Sequence, residues 1–175
     1  MATTYEAIAT VTVGSGGASS IDFTSIPATY TDLVVKLSAR AVDGGDTFAN
    51  VKTTFNGSTS GYTNIRLQGS GSAAGSGSDG TDSIFQKYGT NGSNTTASTF
   101  GNLEIYIPNY ASSNYKSTSG DSVSENNATE AWSVLNAGLW SNTAAITSIK
   151  LELLYTTIRN FVQYSTATLY GIKNS

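Results

Sequence analysis

Apolar and polar positions alternate with a period of two along most of the chain. The clearest case is residues 99–110, where Leu103, Ile105 and Ile107 are interleaved with Asn102, Glu104 and Tyr106. That spacing puts three aliphatic side chains on one face of a β-strand and three polar-edged ones on the other. Pro108 has no backbone N–H, so sheet pairing stops there, and Asn109 suits the turn that follows. The pattern predicts a central core strand with a defined exit.

The same reading extends outward from this segment. Residues 5–13 set Tyr5, Ala7, Ala9, Val11 and Val13 against Glu6, Ile8, Thr10 and Thr12. With Ile21 and Phe23 in residues 20–24, this predicts a hairpin closed by the glycine-rich turn at 14–17. Residues 32–41 place Leu33, Val35, Leu37 and Ala39 opposite Val34, Lys36, Ser38 and Arg40. Val51, Thr53 and Phe55 share a face in 50–56, and Asn56-Gly57 is a turn signal. Residues 62–67 fit a strand or one helical turn. Shorter strands are predicted at 82–87 and 113–119. Residues 131–139 carry Trp132, Val134 and Asn136 on one face and Ala131, Ser133, Leu135 and Ala137 on the other. Ile149, Leu151 and Leu153 mark a strand in 146–155. Residues 157–161 are expected to turn, and 164–172 close the chain as a strand.

Between these segments lie polar stretches. The longest, 69–80, is Gly-Ser-Gly-Ser-Ala-Ala-Gly-Ser-Gly-Ser-Asp-Gly. Its composition predicts a flexible surface loop rather than an element or a domain linker. Residues 89–98 and 120–129 are read as loops too. About ten strands without a persuasive amphipathic helix predict an all-β fold: an antiparallel β-sandwich, jelly-roll-like, with residues 1–175 as one domain.

Composition narrows what such a fold does. Charged residues make up 12% of the chain, about half the ~25% of an average soluble domain. Ser, Thr, Asn and Gly take their place, so the surface is polar but nearly neutral. There is no Cys and no His, which excludes disulfides, thiol chemistry, histidine triads and Cys/His metal sites. Nine Lys and Arg against twelve Asp and Glu, scattered singly, make no basic stripe, so no nucleic-acid partner is expected. No stretch approaches the ~18 consecutive apolar residues of a membrane helix, and residues 1–6 show no secretory pattern. The expectation is a protein with no membrane partner and no export signal of its own.

The candidate chemistry is sparse. Asp43 with Asp46, Asp79 with Asp82, and Glu125 with Glu130 are the acid pairs that could serve a glycosidase, but none sits in a motif. Acids in such positions are ordinary turn formers. Asp43-Gly-Gly-Asp46 and Asp79-Gly-Thr-Asp82 offer too few oxygens for calcium, which takes six or more. Replacing either pair is therefore expected to leave stability unchanged, with or without calcium. No catalytic, cofactor-binding or metal residues are assigned and no cofactor is expected. Tyr62, Tyr88, Tyr106, Tyr110, Tyr115, Trp140, Tyr155 and Tyr164 are candidates for a sugar platform or an oligomer seam, against the commoner role of sheet packing.

Five phrases are relevant to function: Tyr5-Glu-Ala-Ile-Ala-Thr10, Ser25-Ile-Pro-Ala-Thr-Tyr-Thr-Asp-Leu-Val-Val35, Ile107-Pro-Asn-Tyr110, Gly138-Leu-Trp140 followed by Ala145-Ile-Thr-Ser-Ile149, and Leu169-Tyr-Gly-Ile-Lys173. In this order they resemble a family of small virion structural proteins of tailed phages, especially those of cyanobacteria, of head-decoration or fibre-associated type. The resemblance implies a non-enzymatic virion protein, made in the bacterial cytoplasm. In that role it is expected to be a capsid decoration (cement) protein that binds the major capsid protein or other virion proteins. Self-association is expected, a trimer over a dimer, with the seam at residues 106–115 and near Trp140. The alternative is a carbohydrate-recognition module of a tail fibre that binds host glycans.

Overall fold

The structure, a computed structural model, describes residues 4–42, 44–154 and 160–173. Among these no residue is helical. The strands are β1 (Tyr5–Thr12), β2 (Ser20–Phe23), β3 (Asp32–Ala39), β4 (Ala41–Val42), β5 (Phe48–Phe55), β6 (Tyr62–Gly69), β7 (Ala74–Asp79), β8 (Ile84–Asn91), β9 (Gly101–Ile107), β10 (Lys116–Glu125), β11 (Ala131–Trp140), β12 (Ile149–Leu153), β13 (Asn160–Phe161) and β14 (Thr166–Ile172). They form an eight-stranded sheet in the order β1-β14-β3-β9-β10-β11-β6-β7, a four-stranded sheet β2-β12-β5-β8, and the short pair β13-β4. Every named pairing is antiparallel.

The expected all-β sandwich is what the chain forms. Its core lies between the two larger sheets. Leu33, Val35 and Leu37 of β3, Leu103, Ile105 and Ile107 of β9, and Leu169 of β14 come from one side. Ile21, Phe23, Val51, Phe55, Ile84, Leu151 and Leu153 come from the other. All of these are at most 2% exposed. Strand β9 sits between β3 and β10 inside the large sheet. It ends at Ile107, immediately before Pro108, and Asn109 then takes φ 49°. Asp32 anchors that exit: its carboxylate accepts from the Tyr106 hydroxyl at 2.9 Å and from the Asn109 N–H at 2.8 Å.

Several expectations are corrected. The N-terminal hairpin does not form: β1 pairs with β14 and β2 with β12, in different sheets. A bulge between Ala7 and Ala9 also breaks the parity of β1. It lets Ile8 and Val11, which simple alternation puts on opposite faces, both pack against the core. Residues 120–129 are not all loop, because β10 runs ten residues to Glu125 and Ser122 and Ser124 face inward, buried. Ser122 Oγ donates to the Lys87 carbonyl at 3.1 Å and Ser124 Oγ to that of Tyr88 at 2.6 Å. The ambiguous segment at 62–67 is strand β6. The turn expected at 157–161 lies partly outside the described residues, and Asn160–Phe161 is the short strand β13.

The largest correction concerns residues 69–80. Ala74–Asp79 is strand β7, paired along its length with β6. The Gly-Ser repeat has a period of two, and the register uses it. Gly75 and Gly77 lie opposite Gln68 and Arg66, whereas Ser76 and Ser78 lie opposite the outward-facing Leu67 and Ile65. A Cβ on Gly77 would meet Arg66 Nη2 at 2.7 Å. The glycines leave room for two long side chains to lie across the strand, and Arg66 reaches Asp79 in an ion pair whose side chains are 11% and 13% exposed.

Candidate functional site

The outward face of the eight-stranded sheet follows from the register. Leu67 lies opposite Leu135 and Ile65 opposite Ala137. Leu135 lies opposite Asp121, and Val123 opposite Ser133. Ile65, Leu67, Leu135 and Val123 are thus neighbours on adjoining strands, with exposures of 61%, 59%, 60% and 47%. Single exposed aliphatics are unremarkable, but a contiguous group on one sheet face is the signature of an interaction surface.

Across the sheet the face changes character. Asp121 is followed by Glu104, Lys36, Thr168 and Thr10 on successive strands. Lys36 and Glu104 form an exposed ion pair at 2.9 Å. Burial, and secondarily the nearby Glu104, raise the Asp121 carboxyl above its usual range. The next row carries Tyr106, Val34 and Tyr170. Val34 points outward between these two tyrosines yet is 1% exposed. Aliphatics therefore gather at the β11-β6 end beside the edge strand β7. That edge carries no Pro or Lys to block further pairing.

The aromatic residues divide into groups. Tyr62, Tyr110 and Trp140 are at most 1% exposed. Tyr62 and Trp140 stack at 6.0 Å, with Phe55 edge-on to Trp140 at 5.7 Å. Tyr110 and Trp140 are thus core residues and offer nothing to the expected seam, whereas Tyr106, on the outward face, and Tyr115 remain accessible within 106–115. Tyr115 and Tyr164 are exposed; Tyr155 lies outside the described residues.

A third group builds an open cleft of about 440 Å³ between the two sheets. Phe48 of β5, Tyr88 of β8 and Trp132 of β11 line it, with Asp46, Asn50, Lys87 and Glu130. Tyr88 and Trp132 have ring centroids 4.5 Å apart, Phe48 and Tyr88 6.0 Å. A bulge puts Tyr88 there. Between the pairs Ala49↔Thr90 and Val51↔Gln86, β5 has Asn50 alone while β8 has Lys87, Tyr88 and Gly89. Tyr88 takes φ 51°, a region that costs a bulky residue ~1–3 kcal/mol and clusters at functional sites. Its N–H donates to Asn50 Oδ1 at 2.9 Å. Lys87 Nζ lies 5.0 Å from the Tyr88 ring centroid. The sequence reading named Tyr88 but missed Phe48, Trp132, Asn50 and Lys87. Gly89, which the sequence pattern placed at the start of a loop, lies inside β8 in the structure and is the one local signal of the bulge.

The acid pairs do not converge into a centre. Asp79 pairs with Arg66, and Asp82 with Lys52 at 2.6 Å; the hydrogen bond from Lys52 holds the Asp82 carboxyl below its usual range. Glu125 and Glu130 are exposed near the β10–β11 turn, where Glu125 accepts from Asn127 N–H at 2.7 Å. Asp43 lies outside the described residues, so its pair with Asp46 is not described. Among the described residues no three acids gather as a metal site, and no helix is long and apolar enough to cross a membrane.

The chain matches no family model, no curated protein and no solved structure.

Proposed function

We propose that this chain is a non-enzymatic structural protein of a phage particle, a decoration protein that works as a self-associated unit on the capsid surface. The observation that carries the assembly part is the exposed aliphatic group Ile65, Leu67, Val123 and Leu135 on one sheet face. Burying a large aliphatic side chain is worth ~1.5–3 kcal/mol, so a face that leaves four of them half or more exposed gains from a partner. Apart from Asp121 opposite Leu135, the immediate surroundings are Ser, Ala and Thr, so a second copy meets little electrostatic resistance. Closed symmetry is the rule for such contacts, and a trimer presents three copies to a capsid at once, multiplying weak contacts through avidity. The phage assignment is supported by the ordered phrases given above.

The test is the protein's place on the particle. Antibody labelling of purified particles from the host culture is expected to mark the head surface at regular positions. Labelling confined to the tail, or none on intact particles, overturns the decoration reading.

A further inference from the structure

We infer that the cleft between Phe48, Tyr88 and Trp132 is a carbohydrate-binding site, which takes a neutral pyranose stacked on its rings. It is separate from the assembly face. Trp132 lies on the inward side of β11, with Val134 and Asn136, whereas Leu135 lies on the outward side. Ligand in the cleft and partner on the sheet do not compete for the same atoms.

The three rings are not packed as core. Tyr62, Tyr110 and Trp140 are essentially inaccessible, whereas Phe48, Tyr88 and Trp132 are each partly exposed and line one opening. The chain holds them there at a cost, with a bulge in β8 and a left-handed backbone at Tyr88, and fixes that residue through Asn50. A bulge that re-aims a side chain beside a cleft is a recurring device of binding sites.

The rim selects the class of ligand. Aromatic faces are electron-rich and attract the C–H face of a pyranose. Hydroxyls at the sugar's edge need both donors and acceptors. Glu130 offers acceptors, Lys87 donors, and Asn50, whose Oδ1 takes the Tyr88 N–H, offers its amide NH₂. An anionic ligand meets Asp46 and Glu130 against the single cation Lys87 of the lining. A cationic ligand meets Lys87 already 5.0 Å from the Tyr88 ring. A wholly apolar ligand leaves those charges without solvent. A neutral polyol with one apolar face fits all three groups of contacts, and the volume of about 440 Å³ lies within the ~300–1,000 Å³ of small-molecule sites.

The probes are immobilised hexasaccharides of α- and β-linked glucose, galactose, mannose and N-acetylglucosamine, with the best binder then titrated in solution by tryptophan fluorescence. The full chain is expected to bind at least one probe saturably, with a shift in Trp132 emission. Trp132→Ala is expected to weaken binding at least tenfold. Because Trp132→Ala removes packing as well, Glu130→Ala serves as the second variant. Glu130 is exposed, so its loss leaves the melting temperature unchanged while binding still falls severalfold. Leu135→Lys, on the opposite face, is expected to bind sugar like the parent chain, which separates this site from assembly. Binding of no probe by the parent chain, or binding unchanged in both Trp132→Ala and Glu130→Ala, overturns the proposal.

Discussion

Asp79→Ala tests whether the Gly-Ser segment is an element or a loop. In the structure Asp79 closes β7 and holds the Arg66 guanidinium, with both side chains close to nine-tenths covered. Removing the acid leaves a mostly buried cation without its counter-charge. Breaking fully buried pairs costs ~3–5 kcal/mol, and the remaining water contact and edge position lower this to ~2–3 kcal/mol. The loss falls on the β6–β7 pairing, since β7 has no other strand neighbour. Edge elements open locally, below the global unfolding free energy. Hydrogen exchange is therefore the assay, read on the amides of Ala74–Asp79 that pair with β6. At ~1.4 kcal/mol per tenfold, their protection is expected to fall ~30- to ~150-fold, while amides of β9 stay as slow as in the parent. Gly77→Ala is expected to act in the same direction by displacing Arg66. Free exchange of these amides in the parent chain would refute the reasoning and restore the flexible loop that composition suggests.

Other outcomes follow from buried polar groups. Tyr62 accepts from Phe55 N–H at 2.9 Å, so Tyr62→Phe orphans that donor and is expected to cost ~1–3 kcal/mol in urea unfolding. Burial raises the Tyr62 and Tyr110 phenols above the ordinary 10.0. Above about pH 10 the unfolded chain releases protons that the native state retains, so stability falls from there upward. Tyr110→Phe is expected to flatten that fall, seen as a smaller drop in denaturation midpoint between pH 9 and 11. Lys116 is 0% exposed and its ammonium donates to the carbonyls of Ser112, at 2.7 Å, and Asn114. Lys116→Met frees both carbonyls and is expected to cost ~2 kcal/mol, a melting temperature lower by ~4–8 °C for a chain of this size.

How far the sequence led depends on where its signal comes from. Alternating side chains located β3, β9, β11 and β12, because the inward positions of these strands are mostly apolar and period two has no other simple reading. Pro108 and Asn109 marked the end of β9 for reasons local to those residues. The signal failed where the inward residues are small or polar. Strand β7 sets glycines against the long side chains of Arg66 and Gln68, and β10 buries Ser122 and Ser124 against β8 carbonyls. Neither leaves a hydrophobic trace. Pairing was also out of reach: the two N-terminal strands are adjacent in sequence but belong to different sheets. The cleft was half visible. Tyr88 stood out by type, but Phe48 and Trp132 come from strands of different sheets, and only the folded register brings them together. Leu135 was correctly set on the face opposite Val134; that this face stays open needed the structure.

The central claim is assembly through the sheet face, and light scattering over a dilution series tests it most directly. Leu67 and Leu135 are opposite each other and 59% and 60% exposed, so each offers ~1–2 kcal/mol per copy on burial. Leu67→Lys with Leu135→Lys removes that gain and puts two charges into any interface that buries this patch, without touching the core. The parent chain is expected to show a trimer mass that dissociates on dilution, and the double variant a monomer with an unchanged melting temperature. A parent chain that stays monomeric at every concentration, or a trimer that the double variant leaves intact, would contradict the account.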